Sequence, residues 1–192
     1  MGLRDFERVI VRGHEIPLQL FCSRSDRLEP GVIEAVVNIE GLPFKPAGGL
    51  WTSTFTPYEV FCSAWIRWCA NNLPERLPKS EKQCWVLYPS AEARVAQISS
   101  IDDYRKVLEV AKRYDKMKKR WCIDWEKLAM LCDGLWLTED GLYSVGYAEF
   151  EVEYPELVSF YGWDAESIVW FRWVFDKVIS LPKVPHSCKV SV

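Results

Sequence analysis

Gly48-Gly49-Leu50-Trp51-Thr52-Ser53-Thr54 runs straight into Phe55-Thr56-Pro57-Tyr58-Glu59. Paired glycines before a hydroxyl-rich run with alternating bulk read as a short strand. The residues after Phe55 read as a helix start: Thr56 can cap, Pro57 takes the first helical position, and Glu59 stands three residues after the cap. Phe61, Ala64, Trp65, Trp68, Cys69 and Asn72 keep helical spacing until Leu73-Pro74 ends the element, so a helix with a broad aromatic inner face is expected.

Upstream, Ile16 to Cys22 reads as a strand, while 32–39 stays open between a strand and a short helix. Downstream, Cys84-Trp85-Val86-Leu87-Tyr88 is a strand. Ser100-Ile101-Asp102-Asp103 starts a helix whose stripe is Tyr104, Val107, Leu108, Ala111 and Tyr114. Asp124 caps a short helix over 125–132, Leu135-Trp136-Leu137-Thr138 is a strand, Glu139-Asp140-Gly141 a turn, and 142–153 and 160–171 are extended. Strands concentrated late in the chain predict an α+β fold with a mostly antiparallel sheet and flanking helices. A single domain over 1–180 and a loosely ordered tail over 181–192 are expected.

The 192 residues are 49% hydrophobic and 27% charged with a net charge of −3, which excludes a disordered or fibrous chain. No apolar run approaches the ~20 residues of a membrane span, and Met1 to Asp5 lack a signal-like apolar stretch, so a cytoplasmic protein without membrane partners is expected. Seven cysteines form no C-x-x-C pair, fitting buried thiols in a reducing compartment. His186 and Cys188 alone do not make a metal site, and none is expected.

Residues 105–120 hold eight basic and two acidic side chains, whereas 128–171 hold nine carboxylates and no Lys or Arg. Trp163-Asp164-Ala165-Glu166-Ser167-Ile168-Val169-Trp170 interrupts an aromatic run with two acids. On a strand these share a face, roughly 7 Å apart. They read either as an edge strand facing solvent or as carboxylates placed to act as base or to stabilise developing positive charge. The Gly48-Gly49 pair permits close backbone approach to a ligand, and the hydroxyls of Thr52 and Ser53 can orient a neighbouring carboxylate. Neither phosphate-loop nor dinucleotide-fold glycine spacing is present.

The Gly-Gly-Leu-Trp-Thr-Ser run, the unit from Ile123-Asp124-Trp125-Glu126 to Asp133-Gly134-Leu135-Trp136, and the late Trp-Asp-x-Glu-Ser strand together resemble the ADP-ribosyltransferase superfamily. More narrowly they resemble its small bacterial and phage members, which include toxins and anti-defence proteins. The likeness covers about residues 18 to 171. It implies a split-sheet core and NAD as co-substrate, with an Arg or His on a first strand, hydroxyls on a second and a catalytic Glu on a late one. Glu166 then binds the ribose 2′-hydroxyl and favours the oxocarbenium-like charge, Asp164 orients or deprotonates the acceptor, and Ser53 holds Glu166. Thr52 belongs to the second motif, and Trp51 or Tyr161 stacks on nicotinamide. The first motif is the departure: Cys22 stands where His or Arg belongs, leaving Arg24 as the residue that grips NAD, with His14 as another option.

The implied activity is mono-ADP-ribosyl transfer to a macromolecule, protein or RNA/DNA, with a neutralising partner if the protein is a toxin. The basic run Lys112 to Arg120 reads as a phosphate-binding stretch or a solvated helix end. The alternatives are a non-catalytic inhibitor binding a partner through an acidic, aromatic face, and a nucleic-acid-binding module without turnover.

Overall fold

A computed structural model describes residues 2–23, 27–77, 84–145, 160 and 162–181. The strands are β1 (Ile10–Arg12), β2 (Gln19–Cys22), β3 (Leu50–Thr54), β4 (Cys84–Pro89), β5 (Arg94–Ile98), β6 (Lys112–Asp115), β7 (Arg120–Ile123), β8 (Gly134–Leu137), β9 (Ser167–Trp170) and β10 (Phe175–Ser180). The helices are α1 (Leu3–Phe6), α2 (Ala64–Asn72), α3 (Ile101–Val110), α4 (Trp125–Leu131) and α5 (Glu139–Val145). Eight strands form one sheet in the order β1-β5-β8-β9-β3-β2-β4-β10, and β6 and β7 form a separate hairpin. Among the described residues only β5 and β8 pair in parallel. The α+β, mostly antiparallel expectation therefore holds, and no described helix is long and apolar enough to cross a membrane.

The pleat explains the late apolar runs. Val169, Leu135 and Leu137 face a cluster with Trp125, Leu128, Tyr104 and Val107, while Ile168 and Trp170 face the opposite cluster with Leu50, Trp85, Leu87 and Val95. Both faces of the central strands are covered, so their sequences read as continuous hydrophobes. A third cluster packs Leu20, Cys62, Ile66 and Cys84 beneath α2.

Strand β3 changes neighbours along its length. Leu50, Trp51 and Thr52 pair with Trp170, Val169 and Ile168 of β9, whereas Ser53 and Thr54 pair with Leu20 and Gln19 of β2. The sheet opens between β9 and β3 just after Thr52, with Glu166 immediately before β9.

Several sequence expectations are corrected. The helix expected from Thr56 starts at Ala64, capped by Ser63, whose hydroxyl accepts from the Ile66 amide at 3.2 Å. Thr56 instead closes a loop on itself: its amide donates to the Cys62 carbonyl at 2.7 Å and its hydroxyl donates to the Phe61 carbonyl at 3.3 Å. Tyr114 is not on the stripe of α3, which ends at Val110; it stands on β6. Glu139-Asp140-Gly141, expected as a turn, opens α5, which also takes 142–145 out of the expected extended run. Thr138 starts that helix by accepting from the Gly141 amide at 3.1 Å. Gly141 is there for space, since a Cβ would lie 2.1 Å from the Ile98 carbonyl oxygen. The open stretch 32–39 carries a single bridge, Val37 to Ala47. Strand β9 begins only at Ser167, so Asp164 and Glu166 lie outside it. The remaining extended expectation over 146–153 and the tail over 182–192 lie outside the described residues.

Candidate functional site

Glu166 is 7% exposed, and a buried carboxylate requires partners. Its Oε2 accepts from the Ser53 hydroxyl and the Thr54 amide, both at 3.0 Å. Its Oε1 accepts from the Thr54 hydroxyl at 2.8 Å and the Trp136 indole N–H at 2.6 Å. These four donors fill the acceptor capacity of one carboxylate. The opening of the sheet makes this possible: Thr54 pairs with β2 on one side, and on the side where β9 has ended its amide finds Glu166 instead. Ser53 is itself anchored, accepting from the Trp65 amide at the start of α2 at 3.3 Å.

Glu166 borders two recesses. One is an open cleft of about 610 Å³ lined by Thr54, Thr56, Phe61, Arg67 and Trp136 among others. The second, of about 220 Å³, is lined by Trp68, Asn71, Tyr143, Trp163 and Asp164 as well as Glu166. Both are bounded by Arg67 of α2 and Glu139 of α5, which form a 2.7 Å salt bridge.

Asp164 is exposed, unlike Glu166. The expectation that the two share one strand face is corrected: the chain enters β9 only after both, and they meet across the smaller recess rather than along a pleat.

A third cleft of about 460 Å³ gathers Trp51, Ser53, Asp164, Phe21 and Cys22 with two cations, Lys45 and Arg76. Trp51 packs edge-on against Trp163 at 4.6 Å, its indole N–H donates to the Gly48 carbonyl at 3.3 Å, and the Lys45 ammonium lies 5.4 Å from its ring centroid. Gly48 and Gly49, at φ +75° and +73°, turn the chain there; a Cβ would meet the Ala35 carbonyl oxygen at 2.4 Å and Val169 Cγ2 at 2.7 Å. Glu166 does not line this cleft, but Ser53 lines it while holding Glu166.

Thr52 also lines this cleft, but its hydroxyl is occupied elsewhere. Its hydroxyl donates to Gln19 Oε1 at 2.7 Å and accepts from the Trp170 indole at 2.8 Å, so it is committed to the core. Arg24 and Tyr161 lie outside the described residues, and His14 is exposed in the turn Gly13–Glu15. Cys22 sits 3.1 Å, sulfur to sulfur, from Cys84; that contact first, and burial second, push its thiol well above the ordinary value, which keeps it un-ionised at neutral pH. Among the described residues no three His, Cys, Asp or Glu side chains cluster as metal ligands.

Of the acids over 128–171, Glu149, Glu151, Glu153 and Glu156 lie outside the described residues, and three of the others are paired or buried. Asp133 accepts from the Arg94 amide and pairs with Arg172, Glu139 pairs with Arg67, and Glu166 is buried. Sequence reasoning missed Thr54, the third hydroxyl of the β3 run, whose reach to Glu166 depends on where β9 stops. It also missed Trp136, which sequence spacing does not distinguish from a core tryptophan.

The chain matches no protein-family model, no curated protein and no solved structure.

Proposed function

We propose that the protein is an NAD-dependent mono-ADP-ribosyltransferase acting on a macromolecule, with Glu166 as its catalytic carboxylate. The observation that carries this reading is the Ser53 to Glu166 hydrogen bond at 3.0 Å, made where a sheet opens beside a cleft. The sheet order adds support: β2, β3 and β9, which carry or adjoin the stretches where the family resemblance puts its three motifs, are consecutive neighbours.

In the reaction, the bond from the ribose C1′ to the nicotinamide nitrogen breaks and its electron pair leaves with nicotinamide. Glu166 accepts the ribose 2′-hydroxyl and its fixed negative charge favours the oxocarbenium-like state. Since four donors already surround the carboxylate, one must yield. The Thr54 hydroxyl turns about a single bond and gives way most cheaply, whereas the Thr54 amide and the Trp136 indole are held by their elements. The acceptor nucleophile then attacks C1′ and loses its proton, which the exposed Asp164 at the neighbouring recess takes up. Lys45 and Arg76 supply positive charge for a diphosphate beside Trp51.

The test is nicotinamide released from NAD by wild type and Glu166→Gln, with and without cell lysate. Release that rises with lysate and falls at least about 100-fold in the variant supports the reading. A full-rate variant, or no release together with no thermal shift on adding NAD, contradicts it.

A further inference from the structure

We propose that the outer face of the β6–β7 hairpin is a docking surface for single-stranded nucleic acid. This does not rest on the NAD reading. Residues 112–121 hold six basic side chains and one acidic. Of the acids in and beside the hairpin, Asp115 is buried and Glu40, though exposed, is held by hairpin amides and Arg113. Asp115 is fully buried and accepts from the amides of Gly41 and Lys118 at 2.9 and 2.8 Å. Glu40 takes the Lys116 amide at 2.7 Å and pairs with Arg113 at 3.2 Å. Arg113 also donates to the Ile39 carbonyl at 2.9 Å. Both acids are thus taken up, and the hairpin is braced against the loop at 39–41.

The outer face and tip are different. Lys112, Lys116, Lys118 and Lys119 are exposed, and among the described residues these four form no salt bridge. Lys119 sits at φ +53°, a left-handed conformation that glycine would adopt without strain, so the tip carries charge where backbone economy favours none. Tyr114 and Trp121, opposite each other in the ladder, stay 47% and 43% exposed. Their rings meet edge to face at 5.4 Å and 70°. The Lys112 ammonium lies 5.3 Å from the Trp121 centroid, a contact weaker than the stacking of a base on the same ring.

Exposed rings interleaved with lysines on a two-stranded ribbon suit a strand whose bases are free to stack and whose phosphates lie a few ångströms away. An acidic peptide satisfies the lysines but not the rings, and a duplex hides its base faces.

Binding of fluorescein-labelled dT12, U12 and a 12-base-pair DNA duplex to the full chain, followed by anisotropy without NAD, tests this. We expect dT12 or U12 to bind more tightly than the duplex. Three or four phosphate contacts should weaken that binding about 20- to 50-fold between 50 and 200 mM salt. Trp121→Ala and Tyr114→Ala should each weaken it about five- to a hundredfold with the salt slope unchanged, and the double variant Lys118→Gln/Lys119→Gln should flatten the slope. The lysine substitutions lie in an exposed turn, so they remain informative if an aromatic variant misfolds. No binding, tighter binding of the duplex, a slope untouched by the lysine variant, or equal competition by polyglutamate with no effect of a folded aromatic variant each overturns the proposal.

Discussion

Thr52, Ser53 and Thr54 are adjacent hydroxyl residues that divide two tasks between them. Thr52 turns inward to link Gln19 and Trp170, so Thr52→Val should lower stability by about 1–3 kcal/mol by leaving buried polar groups unpaired, with NAD affinity of the remaining folded protein unchanged; chemical denaturation and NAD titration check the two halves. Ser53 and Thr54 both reach Glu166, because that carboxylate lies end-on to the sheet opening rather than on either face. Replacing Glu166 by Gln sets an amide NH₂ against two of four donors. A loss of about 1–3 kcal/mol should therefore accompany the loss of turnover, read as a melting temperature lower by roughly 3–10 °C. That the hydroxyls of Thr52 and Ser53 could orient a neighbouring carboxylate was legible in the run after Gly48-Gly49, and Ser53 does so. The separation of Asp164 from Glu166 was not, since alternation applies only inside a strand and β9 starts one residue after Glu166.

Elements were legible where a cap or an apolar run marks them. Asp124 caps α4 and Ser100 caps α3 as read, and Leu50–Thr54 and Cys84–Pro89 are strands. The hairpin β6–β7 escaped because its turn, Lys116 to Lys119, has neither Gly nor Asn and its strands continue the charge pattern of α3. Asp115 holds that turn. Burial pushes its carboxyl upward, yet the amides of Lys118 and Gly41 and the charge of Arg113 outweigh burial and leave it below the ordinary value. A carboxyl lowered on folding contributes stability that is complete above its unfolded value of about 3.9 and is lost as pH falls through the lowered folded value. Amide exchange at Gly41 and Lys118 should therefore accelerate at acid pH beyond its intrinsic pH dependence, and in Asp115→Asn it should already be fast at neutral pH. The turn into β3 depends equally on backbone: Gly49→Ala meets both a positive φ and Val169 and should destabilise by about 2 kcal/mol or more, measurable by urea unfolding.

At the scale of the whole molecule, one strand order joins fold to site. Because β3 lies between β2 and β9 and leaves β9 after Thr52, the sheet opens at the point where hydroxyls from β3, an indole from β8 and the carboxylate before β9 converge. Local patterning supplies β3 and β9 separately, but their adjacency joins residues more than a hundred positions apart. Periodicity has no means of showing that. If Ser53 and Glu166 act as one unit in breaking the nicotinamide bond, a double-mutant cycle on nicotinamide release from NAD reveals it. Ser53→Ala alone should lower kcat/KM about 10- to 100-fold, Glu166→Gln alone by about 100-fold or more, and the double variant should match Glu166→Gln within about threefold. Full activity in Glu166→Gln, or losses that simply multiply in the double variant, would refute the coupling of these two residues in catalysis.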